Sequence, residues 1–427
     1  MEGRNYEYVV VGSGMGGASV AGELVKRGKD VLVLETGKRE TSIGHGQDAV
    51  RFYDGNALTK MPKHSKEGVI VWRTLMAGGS TVVSCANGCR ALQNKLAELG
   101  IPLEEEFVEM EAEMGIAPIA PKLLSEGSAA LKAAADHLGY SLQPMPKFIN
   151  ADKCEKCGNC VLGCTRQAKW TALDQLDFLE SAGGLWEPEI TVDRVVIENG
   201  RALGVEAHRG REKLQVMAGT VILAAGGVGT PIILQASGIE AGKGLFIDSF
   251  VNTYAITKGL NQLHEPTMAL VGLDWHDDRG FLISPMSQSS RVGRFADMGK
   301  TAFTTSPKNT IGMMTKISDE RAGTVYPDST ISKAVTASDS RKLEEGSARC
   351  REILVQAGGN PKSVWLSKIQ GAHPGGTAAI GEVVDANLET KVSGLFVCDA
   401  SVLPMAPGLP PILTLGALGK YLGKRLP

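Results

Sequence analysis

No sign of charge dominates this chain. Its 45 lysines and arginines meet 47 aspartates and glutamates, a formal net charge of −2 over 427 residues. That leaves no basic excess for a nucleic-acid partner. Nor is there an apolar run long enough to span a bilayer, so no transmembrane segment is expected. The first apolar strand starts within a few residues of Met1. This leaves no stretch for a secretory leader, and a soluble cytoplasmic protein is expected. A secreted-type disulfide framework is excluded in that compartment, so the eight cysteines need another explanation. The length argues against one ordinary core, and two domains or lobes are expected.

What is present is organised around Tyr6 to Glu35. Tyr8-Val9-Val10-Val11 reads as a strand. The turn Gly12-Ser13-Gly14-Met15-Gly16-Gly17 follows, then a helix from about Ala18 to Arg27, then a second strand Val31-Leu32-Val33-Leu34 closed by Glu35. This is G-x-G-x-x-G in its full context. Gly12 permits the tight turn, Gly14 lets the backbone approach a pyrophosphate, and Gly17 lets helix and strand pack closely. The helix start supplies N–H groups and partial positive charge for the pyrophosphate. Glu35 stands at the interval expected of an acceptor for a ribose hydroxyl. The competing reading is an ordinary βαβ unit with a glycine-rich turn.

Farther on, Val69 to Trp72 reads as a strand. Gly78-Gly79-Ser80 suits a loop that brings backbone N–H groups near an anion or a ring edge, or a simple turn. Helices are expected at Leu103 to Met114 and Leu123 to Leu138. Then comes Cys154-x2-Cys157-x2-Cys160-x3-Cys164. This is the spacing that bacterial ferredoxins use to ligate iron and sulfide. Structural zinc sites usually split into two knuckles, so an iron–sulfur cluster, 4Fe–4S or a three-iron cluster with three ligands, is the leading reading, with zinc and then plain cysteines as the alternatives. Thr165 replaces the proline usual after the last cysteine. A single cluster then uses Cys164 itself or borrows from Cys85, Cys89, Cys350 or Cys398.

Leu173 to Ala182 reads as a helix. Ile190 to Ala207 reads as a meander that feeds a buried strand, Thr220 to Ala224, with a glycine turn and a helix started by Pro231. From Leu245 to Leu366 short alternating runs suggest an antiparallel sheet, and Ala337 to Ala357 one long amphipathic helix. The end returns to glycine-rich loops, a strand ending at Asp399, and a final helix from Ile412.

Four segments together resemble the glucose–methanol–choline (GMC) flavin oxidoreductases. They are the Gly12–Gly17 unit with Glu35, the Gly78–Ser80 loop, the stretch from Val192 to Gly229, and the end from His373 to Leu418. The last carries H-P-x-G-T, V-V-D, D-A-S-V-x-P and P-x-x-x-T. The resemblance covers about half of the chain. It implies an α/β fold: a Rossmann-like FAD-binding domain of the glutathione-reductase type, with an α+β substrate lobe on an antiparallel sheet. The domains expected are 1–244 for FAD with an iron–sulfur insertion at about 150–170, 245–366 for substrate, and 367–427 returning to the FAD domain. By the same likeness Gly12, Gly14 and Gly17 hold the pyrophosphate, Glu35 the ribose, and Val192 the adenine. The Gly78, Gly79 and Ser80 loop lies along the flavin. Asp399 and Ala400 reach the pyrophosphate or ribityl, and the helix after Pro411 points its positive end at the flavin ring.

His373 matches the family's active-site histidine, a base for the hydroxyl proton as hydride leaves for the flavin. The family's second histidine or asparagine is replaced by Pro410, which has no side-chain donor or acceptor. Most members also have no cysteine run, and the substrate lobe here is short. The leading expectation is an FAD and iron–sulfur enzyme that oxidises a small-molecule alcohol and relays electrons to a ferredoxin-like protein. Two others stand beside it: a reductase of an activated double bond, with that protein as donor, and an electron-transfer subunit without its own substrate.

Overall fold

The computed structural model describes residues 4–46, 48–55, 63–287 and 291–427. Two sheets organise them. The first is ordered Leu185–Glu187, Val31–Leu34, Asn5–Val11, Glu212–Leu223, Arg201–Arg209, Thr191–Glu198. Its centre is apolar on both faces: Val9, Val10, Leu32, Val33, Val221 and Ile222 are all buried. That is why these strands read as continuous β-branched and leucine runs and lie parallel under helices. Glu212–Leu223 is the hinge of the sheet. It runs antiparallel to Arg201–Arg209 at its start, parallel to Asn5–Val11 along one side, and parallel to Leu395–Val397 at its end. The returning strand expected from the sequence thus rejoins the first one.

The helix after the glycine turn spans Met15–Lys26 and is buried from Met15 to Val25. It starts three residues earlier than expected, because Gly16 and Gly17 are helical. The reason is the partner on its other side. The final helix, Ile412–Arg425, crosses it so closely that a Cβ on Gly416 would stand 2.2 Å from Met15 Cε, and one on Gly419 2.8 Å from the Gly16 carbonyl oxygen. Small residues on both helices set this distance.

The second sheet is ordered Phe281–Pro285, Thr310–Ile317, Ser249–Ile256, Gln370–Gly371, Ile70–Val71, with Trp365–Leu366 also on Ser249–Ile256. Ala337–Gln356 packs across it through Leu343, Cys350, Ile353 and Leu354, against Val251, Phe281, Ile283, Ile311 and Met313. The antiparallel lobe is therefore present, but it takes strands from either side of 245–366. Ile70–Val71 and Gln370–Gly371 pair in parallel and tie it to the nucleotide-binding part of the chain.

One helix start needs correction. Gly226–Ala236 begins at Gly226, and Pro231 lies inside it. A proline there removes the N–H that would bond the Gly227 carbonyl. The Thr377 hydroxyl donates to that carbonyl instead, at 2.8 Å. The helix tolerates its proline because the H-P-G-G-T loop supplies the missing donor.

Candidate functional site

Four turns converge where the strands of the first sheet end, the place where open α/β sheets bind ligands. Gly12 has a φ of +103°, and a Cβ on it would lie 2.3 Å from the Ala224 carbonyl oxygen. A Cβ on Gly17 would lie 2.0 Å from the Gly12 oxygen. Both are glycine because backbone occupies the space. Gly14 is the opposite case: a Cβ there meets nothing within 4 Å, and Gly14 is the N-cap of the helix Met15–Lys26. The open side of the turn thus faces the unpaired N–H groups of a helix start, a cradle that fits a pyrophosphate.

Glu35 ends the second strand, buried against the turn. Its Oε2 accepts the Ser13 backbone N–H at 2.9 Å and the Ser13 hydroxyl at 2.7 Å, and its Oε1 accepts the Gly37 N–H at 2.7 Å. Burial raises its pKa and these bonds oppose the rise. Ser13 Oγ in turn accepts the Gly78 N–H at 3.0 Å. Glu35, Ser13 and Gly78 therefore form a chain that fastens the Gly78–Ser80 loop to the glycine turn, and a Cβ on Gly79 would lie 2.9 Å from Gly14 Cα. Ser80 points outward, with Oγ 3.3 Å from Thr74 Oγ1. Val192 is buried in the outer strand. Its neighbour Thr191 meets Thr36 hydroxyl to hydroxyl at 2.7 Å, which puts this strand beside the end of Glu35.

Asp399 is fully engaged inside the protein. Its Oδ2 accepts from Gly226 N–H at 2.8 Å and the Thr230 hydroxyl at 2.5 Å, and its Oδ1 accepts from Ser401 N–H at 2.7 Å. Asp399 thus joins the last strand to the start of the helix Gly226–Ala236, while a Cβ on Gly16 would lie 2.0 Å from the Cys398 carbonyl oxygen. The carbonyl of Ala400 accepts from Gly376 N–H, and Pro411 caps the start of the final helix. All of these positions sit around one edge.

His373 reaches the same edge, since a Cβ on Gly227 would lie 2.1 Å from the Pro374 carbonyl oxygen. Its Nδ1 stands 2.9 Å from Asp248 Oδ2. Asp248 is wholly buried and adopts the left-handed backbone conformation, φ +51°. Its Oδ1 accepts the Gly408 N–H at 2.9 Å, and Lys316 Nζ lies 3.4 Å from Oδ2. Burial lowers the pKa of His373, Lys316 lowers it further, and Asp248 acts against both. Asp248 and Lys316 are absent from the sequence reading. The signal was there: Asp248 in Leu245-Phe246-Ile247-Asp248 and Lys316 in Met313-Met314-Thr315-Lys316-Ile317 are single charges inside apolar runs, and buried charges need partners.

The cysteine run lines a second pocket. Cys154, Cys157, Cys160 and Cys164 line one pocket with Ile149, Lys169 and Pro266 among its other walls. None is in a disulfide. The Ala168 N–H donates to Cys164 Sγ at 3.3 Å. Burial raises the Cys154 and Cys157 thiols, while N–H groups of Lys156 and Asn159 oppose the rise. Among the described residues no three His, Cys, Asp or Glu side chains close on a single ion. Of the cysteines weighed as borrowed ligands, Cys350 and Cys398 are buried in the two cores, and Cys85 and Cys89 pack against methionines; none is in the pocket wall. Lys169 spans from here toward the segment that follows Gly78–Ser80. Its buried ammonium donates to the carbonyls of Cys160 at 2.9 Å and of Val82 and Ser84 at 2.8 Å.

Comparison with known proteins agrees with this geometry. The N-terminal domain of the GMC oxidoreductases matches residues 6–264 and the C-terminal domain residues 312–419. The chain belongs to the GMC oxidoreductase family. It is therefore an FAD-dependent oxidoreductase, and the glycine cradle is the place that fits its FAD. An uncharacterised protein of Methanocaldococcus jannaschii is 28% identical, over 97% of this chain and 98% of its own. A long-chain-alcohol oxidase of Arabidopsis thaliana is 24% identical, over 98% of this chain and 67% of its own. Among solved structures, a pyridoxine 4-oxidase from Mesorbium loti superposes with a TM-score of 0.75 over 99% of both chains at 16% identity. These likenesses bear out the expected α/β flavoprotein fold. No helix among the described residues of this GMC chain is long and apolar enough to cross a membrane.

Proposed function

We propose that this GMC protein oxidises a small-molecule alcohol at an FAD held by the glycine cradle, with His373 as the base, and passes the electrons through an iron–sulfur cluster on Cys154, Cys157, Cys160 and Cys164 to a ferredoxin-like protein partner. One observation carries the extension beyond a plain flavoenzyme: four unpaired thiols line one pocket in a chain that also carries the flavin cradle. Clusters of iron and sulfide are held by four such thiolates at this kind of spacing. Backbone N–H groups aimed at the sulfurs are the kind of contact that tunes such clusters.

When bound, FAD accepts hydride and a cluster carries electrons singly. The chain's own residues do the rest. Gly14 and the helix start receive the pyrophosphate, Glu35 is placed for the ribose, Val192 for the adenine, and the backbone at Asp399 and Ala400 for the chain between. The start of the final helix after Pro411 offers positive potential to the flavin ring. With Nδ1 directed at Asp248, His373 presents Nε2 to take a hydroxyl proton. The long-chain-alcohol oxidases among the relatives support an alcohol as the donor.

Anaerobically purified protein is expected to contain flavin, iron and acid-labile sulfide, and a straight-chain primary alcohol to bleach the flavin. His373→Ala should slow that bleaching by about two to four orders of magnitude with flavin retained. Zinc without sulfide would remove the electron route. Bleaching at an unchanged rate would make His373 structural.

A further inference from the structure

Pro410 stands where the resemblance to the family implies a second polar side chain, and a buried ion pair adjoins His373. Lys316 is 3% exposed and Asp248 0%. Asp248 Oδ2 is shared by His373 Nδ1 at 2.9 Å and Lys316 Nζ at 3.4 Å. Two buried charges cost free energy that hydrophobic residues of the same size would not. Asp248 also holds a left-handed backbone, uncommon for any residue but glycine, asparagine and aspartate. The arrangement is overdetermined from outside. Asp248 Oδ1 accepts the Gly408 N–H, which fastens the pair to the loop before the final helix. Asp319 lies behind it, accepting from Ile247 and Ser249 N–H groups and paired with Lys333 at 2.8 Å. His276 Nε2 lies 3.0 Å from the Pro407 carbonyl oxygen on the same loop.

We propose that Asp248 and Lys316 are positioning residues for the base: Asp248 holds the Nδ1–H of His373 and leaves Nε2 bare, and Lys316 balances the carboxylate so that the imidazole stays neutral. This rests on His373 being the base. The logic is electrostatic. A buried carboxylate alone beside an imidazole would favour imidazolium, which has no lone pair to take a proton. Asp248 and Lys316 are the charged groups whose fields reach the ring. Asp319 is compensated by Lys333, and burial raises the Cys85 and Cys89 thiols, which face Lys316. Burial lowers the pKa of Lys316 and Asp248 opposes that fall; its Nζ, 3.4 Å from Asp248 Oδ2, is the charge set against that carboxylate.

The test is histidine-selective nitrogen NMR of the flavin-loaded protein, with His373 assigned by His373→Gln. In the wild type the resonance should report a neutral ring protonated on Nδ1 at about neutral pH. In Lys316→Met its titration should move upward by about one to three pH units, and Lys316→Arg should restore it. The acid limb of flavin bleaching by a primary alcohol should shift with it. A wild-type ring that is cationic, or protonated on Nε2, would overturn the assignment without any variant. So would a Lys316→Met protein, folded and yellow, whose His373 titrates as in the wild type. Because the NMR titration needs no turnover, a protein that oxidises no alcohol but gives the expected shifts would retire the alcohol donor and leave the positioning role intact.

Discussion

The glycine turn and the cysteine loop are both short loops dense in one residue type, yet they are held in opposite ways. Around Gly12 to Gly17 every neighbour is backbone or buried side chain: Ala224, Cys398, Glu35 and the final helix all press on it. The cysteine loop has one brief 3-10 turn, Cys160–Leu162. Elsewhere it turns through left-handed residues such as Lys156 and Gln167. Its Cys157 is exposed and its other three thiols are half-buried. The first loop is shaped by the fold and needs no ligand to exist. The second has little core of its own, so a cluster bound by its thiols would contribute a share of its order.

The hardest way to break that comparison is at Gly17. Gly17→Val puts a side chain where the Gly12 carbonyl already lies 2.0 Å from a bare Cβ. It should abolish both soluble protein and flavin, measured as yield and flavin per chain. Gly14→Val sharpens the same point, because Gly14 has an ordinary φ of −66° and open space above it. That protein should fold, with its circular dichroism intact, and lose flavin. If Gly14→Val keeps flavin, the open side of the turn is not where the pyrophosphate sits.

Next in size is the cysteine loop. Cys157→Ser should strip iron and sulfide while leaving flavin stoichiometry and the far-ultraviolet spectrum as in the wild type. Single serine variants of Cys85, Cys89, Cys350 and Cys398 should keep the iron, since none lines the pocket. Loss of iron in one of those would identify a borrowed ligand.

The same contrast explains what was legible in the sequence. The strands and glycines of the first sheet could be read because local pattern and tertiary demand agree: Val9 to Val11 and Val31 to Leu34 are apolar because both faces are covered. Glu35 was legible as the acid at the strand end, and His373 through its motif. Asp248 and Lys316 were not singled out, because their partnership joins residues far apart in the chain and only the folded sheet brings them together. The early start of the helix at Met15 and the interior Pro231 were misread for a related reason. Each local rule was overridden by a distant donor or a close helix, Thr377 in one case and the Gly416–Gly419 face in the other.

Lys169 ties the cysteine loop to Val82 and Ser84, just after the Gly78–Ser80 loop that packs on the glycine turn, and its effect should be intermediate. Lys169→Met leaves the carbonyls of Val82, Ser84 and Cys160 without their donor, at about 1–3 kcal/mol for each that water cannot reach. Removing a buried cation, whose pKa burial already lowers, offsets part of this. The variant should melt earlier and lose iron on gel filtration more readily than flavin. Equal loss of both would mean that the two loops are a single structural unit.

The smallest and most selective effect belongs to Ser13. Its hydroxyl donates to Glu35 Oε2 at 2.7 Å and accepts from the Gly78 N–H at 3.0 Å, so its side chain joins the strand end, the glycine turn and the Gly78–Ser80 loop. Ser13→Ala keeps the backbone bond from Ser13 N–H to Glu35 and the packing of Gly79 on Gly14, so the fold should survive. It leaves the Gly78 N–H without its acceptor and one Glu35 oxygen with a donor fewer, a loss of about 1–3 kcal/mol. If the Gly78 loop is held for the flavin, the loss should appear as weaker FAD retention, about tenfold to a hundredfold in the dissociation constant, with iron content unchanged. Titration of the deflavinated protein with FAD reads this directly. A variant that binds FAD as tightly as the wild type but melts earlier would assign the Glu35–Ser13–Gly78 chain to folding alone. Reduced iron with normal FAD affinity would show that the loop serves the cysteine site instead.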